Sequence, residues 1–203
     1  MKIYPTDLDR RASHELLMSA VVPRPIAFVS TVGKDGVFNL APFSCFTPVS
    51  MNPALVCFQV SRKRDGQKKD TLKNIEDTKE FVINLVDESL AEAMNQASAE
   101  YPSHVDEFKE VGLTPAKSDR INAPRVAESL VNMECKLIQI LEFGKAPAHM
   151  IIGEVLVVHV RDELWLGDQI DVSKLKVIGR LGGQLFCRVS DRDIFELKRP
   201  DPL

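Results

Sequence analysis

What the chain lacks narrows its class. No apolar run approaches the roughly 18 residues that a membrane-spanning helix needs. The first ten residues carry Asp7 and Asp9, where a secretory signal would be basic and then apolar. A cytoplasmic location without a membrane partner is the expectation. Four cysteines are present, Cys45, Cys57, Cys135 and Cys187. None forms a CxxC pair or lies close in sequence to a histidine, so the spacing of a zinc or iron–sulfur site is missing. The thiols read as small core residues, and no metal is expected. No GxGxxG follows a strand, since Gly179, Gly182 and Gly183 have the wrong spacing, and there is no Walker loop. A dinucleotide would therefore not be held in the Rossmann manner. His14, His104, His149 and His159 lie in different settings and suggest no Ser-His-Asp triad. Excess charge of one sign is also absent. With 26 Lys and Arg against 29 Asp and Glu, the net charge of -3 gives no global pull toward nucleic acid.

What is present fits one globular domain over residues 1–203. The 44% hydrophobic and 27% charged fractions exclude a disordered chain. Leu8, Ala12, Leu16 and Ala20 fall on one face of a helix over Asp7–Val21, which Pro23 and Pro25 stop. Ile26–Val32 is a strand, and Lys34-Asp35-Gly36 supplies a tight turn into a return strand from Val37. Pro42 and Pro48 mark irregular or edge pieces. Strands follow at Ala54–Val60 and Phe81–Val86, with a short helix at Thr71–Asp77 between them. Ser89 and Glu92 have the form of a capping box opening a helix to about Ala99. A long connection, Tyr101–Pro124, holds a short helix from Asp106 closed by Gly112. Two long strands, Val131–Glu142 and His149–Val160, flank a Gly144–Pro147 loop. Gln184–Val189 is the last strand, before a tail that includes Arg199-Pro200-Asp201-Pro202. Strands joined by hairpins without regular helical alternation predict a closed or nearly closed antiparallel barrel.

The strand after His149 is apolar on both sides. Ile151, Val155 and Val157 lie on one face; Met150, Ile152, Leu156 and Val158 lie on the other. A barrel interior covers one face, and a second copy of the chain would cover the other. A homodimer is expected on that ground, with a helix of the same chain as the alternative cover.

Arg62, Lys63, Arg64, Lys68 and Lys69 crowd one short segment, opposed only by Asp65. Ser61 precedes it, and Thr71 stands at a helix start. A helix N-terminus offers unpaired N–H groups and a positive dipole end, which suit a phosphate. Read from the residues alone, the segment is either an anion pocket or a solvated surface loop. Asn39-Leu40-Ala41-Pro42-Phe43-Ser44 interrupts a strand, either as a bent wall for a flat ligand ring or as an ordinary barrel corner.

Five blocks in order carry a resemblance over nearly the whole chain. They are Pro23-Arg24-Pro25-Ile26-Ala27-Phe28-Val29-Ser30-Thr31, Asn39–Ser44, Lys69-Asp70-Thr71-Leu72-Lys73-Asn74-Ile75, Ile152-Gly153-Glu154-Val155 and Arg180-Leu181-Gly182-Gly183. Together they resemble the flavin reductase–like family of FMN-binding split barrels, which includes flavoredoxin and the reductase components of two-component monooxygenases. The resemblance implies an all-β, antiparallel Greek-key split barrel with peripheral helices, usually a homodimer, that binds FMN. It implies an NAD(P)H-dependent flavin reductase, with NADH or NADPH as substrate and a redox protein or monooxygenase as partner. A flavoredoxin-like electron carrier and a non-enzymatic flavin-binding protein are the alternatives. Among the site residues, Asn39, Ala41, Pro42, Phe43 and Ser44 correspond to the contact with the isoalloxazine edge. Ser30 and Thr31 correspond to a second wall. Arg24 is counted with the flavin-binding set, and Ser61, Arg62, Lys69 and Thr71 with the phosphate grip. His149 is the implied catalytic position. One departure stands there: family members often carry Gly-Asp-His, and this chain reads Pro147-Ala148-His149, which leaves reductase and carrier both open.

Overall fold

A computed structural model describes residues 1–145 and 147–200. Ala146 of the expected Gly144–Pro147 loop, and Asp201 and Pro202 of the tail, lie outside the described residues. Helix α1 (Arg10–Ala20) begins where the Asp9 carboxylate accepts the Ala12 N–H at 2.7 Å. The expected helical start at Asp7 is instead a 3-10 turn over Pro5–Asp7. Strands β1 (Ala27–Val32) and β2 (Phe38–Phe43) form the first hairpin, and β3 (Phe46–Met51) and β4 (Ala54–Ser61) the second. Gly36 takes φ 81° in the first turn, a left-handed conformation that favours glycine. Helix α2 (Asp70–Thr78) and strand β5 (Glu80–Leu85) follow.

The capping box expected at Ser89 does not form. Asp87 accepts the Ser89 and Leu90 N–H groups instead, opening a 3-10 turn that leads into α3 (Ala91–Gln96). Helix α4 (Glu107–Glu110) starts on the Asp106 cap, with Gly112 at φ 69° beyond it, as expected. Strands β6 (Pro115–Ala116) and β7 (Arg125–Val126) make a small separate ladder. Strands β8 (Val131–Phe143) and β9 (Ala148–Val160) are the two long ones, and β10 (Ile178–Arg180) pairs β11 (Phe186–Arg188) in a second small ladder.

The main sheet has seven strands in the order β2-β1-β5-β8-β9-β4-β3, all paired antiparallel. It curls, because the rings of Phe43 on β2 and Phe58 on β4 lie 5.2 Å apart although the two strands sit toward opposite edges. Phe58 also meets Phe81 of β5 edge-on at 5.4 Å. These rings, with Val29, Ile83, Cys135 and Ile151, fill the inside. A fully buried Phe contributes roughly 1.5–3 kcal/mol, so this cluster is a main source of the closing force. Gly153 lets β9 pass Phe81 closely, since a Cβ there would stand 2.3 Å from Phe81 Cζ.

Alternation sends Phe28 and Leu40 to the other side of β1 and β2. There they join Leu90, Met94, Phe108 and Ile178 in a second core. This core fastens α3, α4 and β10 to the sheet, and those elements build the walls described below. On β9 the expected alternation holds from His149 to Val155 and then breaks. Val155 pairs Cys135 and Val157 pairs Glu134, so Leu156 is a bulge residue. Past the bulge Val158 stands opposite Met133 and stays half exposed. No helix among the described residues is long and apolar enough to cross a membrane.

Candidate functional site

Two adjoining hollows open where β2 meets α2 and α3. The smaller, about 130 Å³, is lined by Ala41, Pro42, Lys63, Lys69, Thr71 and Tyr101, together with Asp70, Glu100 and Glu107. The larger, about 900 Å³, is lined by Arg24, Ser44, Arg64, Met94, Arg180 and Phe186 among others. Pro42 and Ser98 belong to both walls. The bent Asn39–Ser44 stretch therefore forms the partition, which gives its irregular sequence a structural reason.

The basic loop is ordered by its own turn. Lys63 N–H donates to the Gln67 carbonyl at 2.8 Å, and Gly66, at φ 86°, donates to the Lys63 carbonyl at 3.0 Å. Its cations divide by partner. Lys68 is held by Glu76 at 2.7 Å, and Arg62 lies 3.9 Å from Glu142 at the far hairpin. Lys63 reaches Asp70 at 2.7 Å, and Lys73 reaches the same carboxylate at 3.2 Å. Burial pushes the Asp70 carboxyl up, but the hydrogen bonds and charges of Lys63 and Lys73 outweigh it and hold the group below its ordinary value. Lys69 has no acidic partner among the described residues, and its ammonium stands 5.9 Å from the Phe43 ring centroid. Lys69 is also the N-cap of α2 and supplies no side-chain cap. The first-turn N–H groups of this nine-residue helix thus lack a side-chain acceptor beside an unpaired ammonium, the arrangement that suits an oxyanion.

Behind the partition lies a buried polar network. Asn39 donates through Nδ2 to Glu107 Oε1 at 2.8 Å, and its Oδ1 accepts from Thr31 at 3.2 Å and Thr71 at 2.8 Å. Glu107 Oε2 accepts the Leu40 N–H at 3.2 Å, and Asn74 donates to Thr31 at 3.0 Å. With a carboxylate on one side and two hydroxyls on the other, the Asn39 amide has one satisfied orientation. Burial pushes the Glu107 carboxyl above its ordinary value, against the weaker opposing pull of the Asn39 amide and the backbone N–H groups.

The sequence-derived positions separate accordingly. Asn39, Ala41, Pro42, Lys69 and Thr71 line the smaller hollow, and Arg24, Pro42 and Ser44 line the larger. Thr71 is buried with its hydroxyl donating inward to Asn39, so its contribution to the hollow is its place in the first helical turn. Phe43 points into the barrel interior and lines neither hollow. Thr31 supports Asn39 from behind, and the Ser30 hydroxyl donates to the Pro124 carbonyl while accepting from Asn84. The second wall that these two were expected to form lies behind the surface. Ser61 is exposed at the end of β4, and neither Ser61 nor Arg62 lines the hollows. His149 is buried on β9 with Nε2 3.1 Å from Glu142, its Nδ1 without a partner, and it also lines neither hollow. Lys63, Tyr101 and Glu107 were not singled out from sequence. Only Lys63 carried a signal, as a member of the basic run.

A curled antiparallel sheet with a small polar hollow at a helix start, beside a broader cleft, defines a barrel protein with a candidate small-molecule site. The chain belongs to the family described as the flavin reductase like domain, whose model matches residues 18–170. A protein of Aquifex aeolicus is 40% identical over 190 residues, covering 93% of this chain and 95% of its own. Nitrilotriacetate monooxygenase component B from Bacillus cereus is 36% identical with a TM-score of 0.92, over 97% of this chain and 98% of its own. The 2-nitrobenzoate 2-nitroreductase NbaA of Pseudomonas fluorescens is 33% identical with a TM-score of 0.90, over 100% of this chain and 98% of its own.

Proposed function

We propose that the chain, as one Greek-key split-barrel domain, binds FMN and acts as a flavin-dependent oxidoreductase, taking reducing equivalents from NADH or NADPH. The observation that carries this reading is the pair of hollows that share Pro42 and Ser98: a small one where the unpaired Lys69 ammonium stands at the start of α2, and a cleft of about 900 Å³. Single small-molecule sites run to roughly 300–1,000 Å³, so the cleft is large enough for a flat ring system and part of a second reactant. Lys69, Lys63 and the N–H groups at the start of α2 would hold the phosphate, and the Ala41–Ser44 backbone would meet the ring edge. FMN, when bound, supplies the two-electron chemistry, and the protein supplies position and electrostatics. Membership of the flavin reductase like family supports the cofactor class. The open cleft favours a reductase over a carrier that receives electrons only from a protein.

Two copies are proposed to pair through the outer face of β9, where Met150, Ile152 and Leu156 remain partly uncovered by the chain itself. A monooxygenase is the proposed receiver of electrons, on the likeness to a monooxygenase component B. His149 is proposed as a positioning residue that, with Glu142, holds the β8–β9 end. The test is the absorbance of the purified chain before and after FMN, then with NADH and NADPH. Uptake of FMN with nicotinamide oxidation that depends on it is the expected result. A colourless protein that takes up no FMN overturns the reading.

A further inference from the structure

The cleft holds more positive charge than the phosphate pocket can use. Arg24, Arg64 and Arg180 line it, and none has an acidic partner within 4.0 Å among the described residues. The one carboxylate in its wall, Glu15, is already paired with Arg11 at 3.0 Å. In a protein of net charge -3 this is a local reversal of sign.

Arg24 and Arg180 face each other across a two-way backbone bridge, with N···O distances of 2.9 and 2.8 Å. The Arg24 guanidinium is buried and donates to the carbonyls of Met18, Val21 and Leu181, while its Nε has no partner. Carbonyl dipoles orient that cation without neutralising it. The Arg180 guanidinium carbon stands over the Phe186 ring, 4.3 Å from its centroid. It makes one hydrogen bond, to the Gly183 carbonyl, and its remaining donors have no protein partner among the described residues. Burial and the neighbouring Arg24 charge push the Arg180 guanidinium down from its ordinary value. A guanidinium held over a ring with donors left over can offer two parallel hydrogen bonds to a planar oxyanion.

We propose that this arginine-walled end of the cleft recognises the oxyanion of the second reactant, with Arg180 as the residue that sets specificity for an anionic organic molecule. The inference rests on the flavin reading above. The oxyanion is the phosphate of a nicotinamide nucleotide or the carboxylate of an aromatic acid, which present the same chemistry to Arg180.

The test uses the full FMN-loaded chain and its Arg180→Gln and Arg180→Lys variants, each checked for an unchanged melting temperature. Benzoate and neutral benzamide are titrated against the spectrum of the bound flavin. Anaerobic flavin bleaching is followed with reduced nicotinamide mononucleotide and with uncharged N-benzyl dihydronicotinamide. Losing a charged hydrogen-bonding pair should weaken the anionic probes about ten- to hundredfold in Arg180→Gln. Neutral probes should stay within about twofold, and Arg180→Lys should fall between. A loss confined to benzoate identifies an aromatic acid, and a loss confined to the mononucleotide identifies a nucleotide. Equal losses for charged and neutral probes, or no loss for either anion, overturn the proposal. Failure of the wild type to take up FMN overturns the flavin reading instead. The anion site is then judged on flavin-free protein, by whether benzoate or inorganic pyrophosphate raises the melting temperature of wild type but not of Arg180→Gln.

Discussion

Asn39 on β2 and Glu107 on α4 are 68 residues apart in sequence and joined by a 2.8 Å hydrogen bond beneath the smaller hollow. The carboxylate turns the Asn39 amide so that its oxygen faces the Thr31 and Thr71 hydroxyls. A residue in the long connection thereby fixes a residue in the wall of the smaller hollow.

Glu107→Ala leaves the Asn39 amide donor and the Leu40 N–H buried without an acceptor. The loss should be about 1–3 kcal/mol per group, read by urea unfolding. Glu107 also gives a pH signature. Its folded-state pKa is raised above the ordinary 4.5, so its contribution is fully present below that value and is lost as pH rises through the raised one. Wild-type stability minus that of Glu107→Gln should fall across this window and then level. A flat difference from pH 4 to 8 contradicts the assignment.

Glu134 predicts the opposite slope. Burial pushes its carboxyl up, but the Asp119 N–H, His159 and the Arg120 N–H, at 2.7, 2.6 and 2.8 Å, together hold it below its ordinary value. Stability from this group is present above 4.5 and lost as pH falls through the lowered value. Glu134→Ala should cost at least about 2 kcal/mol at neutral pH, and Glu134→Gln should remove part of the acid-induced loss. Unchanged acid unfolding in the Gln variant would count against this pinning of the 118–124 loop.

Lys69 and Arg62 should separate cleanly. Lys69→Ala should weaken FMN about tenfold or more while leaving riboflavin within about twofold, because a charged phosphate hydrogen bond is worth roughly 1.5–3 kcal/mol. Arg62→Ala should leave the FMN-to-riboflavin ratio unchanged, since Arg62 faces Glu142. Fluorescence titration of both flavins decides it, and equal loss of both in Lys69→Ala moves the phosphate elsewhere.

Gly153→Ala forces a methyl against Phe81 in the barrel interior, with the Cys135 Cβ 3.4 Å away on the same side. Overpacking of this kind costs typically about 1–3 kcal/mol. Thermal unfolding of the variant within a degree of wild type would show that the two strands separate more easily than their packing implies.

Placing Asp at Ile152 or Leu156 should convert a dimer to monomer while keeping the monomer folded, because both side chains lie on the outward side of β9. Light scattering at micromolar concentration, with circular dichroism on the same samples, reads both properties. A wild type that is monomeric at that concentration removes the proposed pairing.

Local patterns in the chain were enough for most strands, for the turn at Gly36 and for the Asp106 start of α4, because each is decided within a few residues by alternation, left-handed glycines or a capping carboxylate. The ordered family blocks carried the barrel class. The basic segment between Ser61 and Thr71 was legible as a concentration of charge, but not in its division of labour. Asp70, Glu76 and Glu142 sort its cations, and Glu142 arrives from 80 residues away on another hairpin. The same limit hid Glu107, whose partner is on β2. It also hid where the side chains of Ser30, Thr31 and Phe43 lie, inward or behind the wall once the sheet curls. On β9 one bulge at Leu156 overrode the two-residue period. Sequence determines which groups carry charge; only the curled sheet decides which of them remain without a partner among the described residues, because ion pairing and burial depend on contacts that no local spacing encodes.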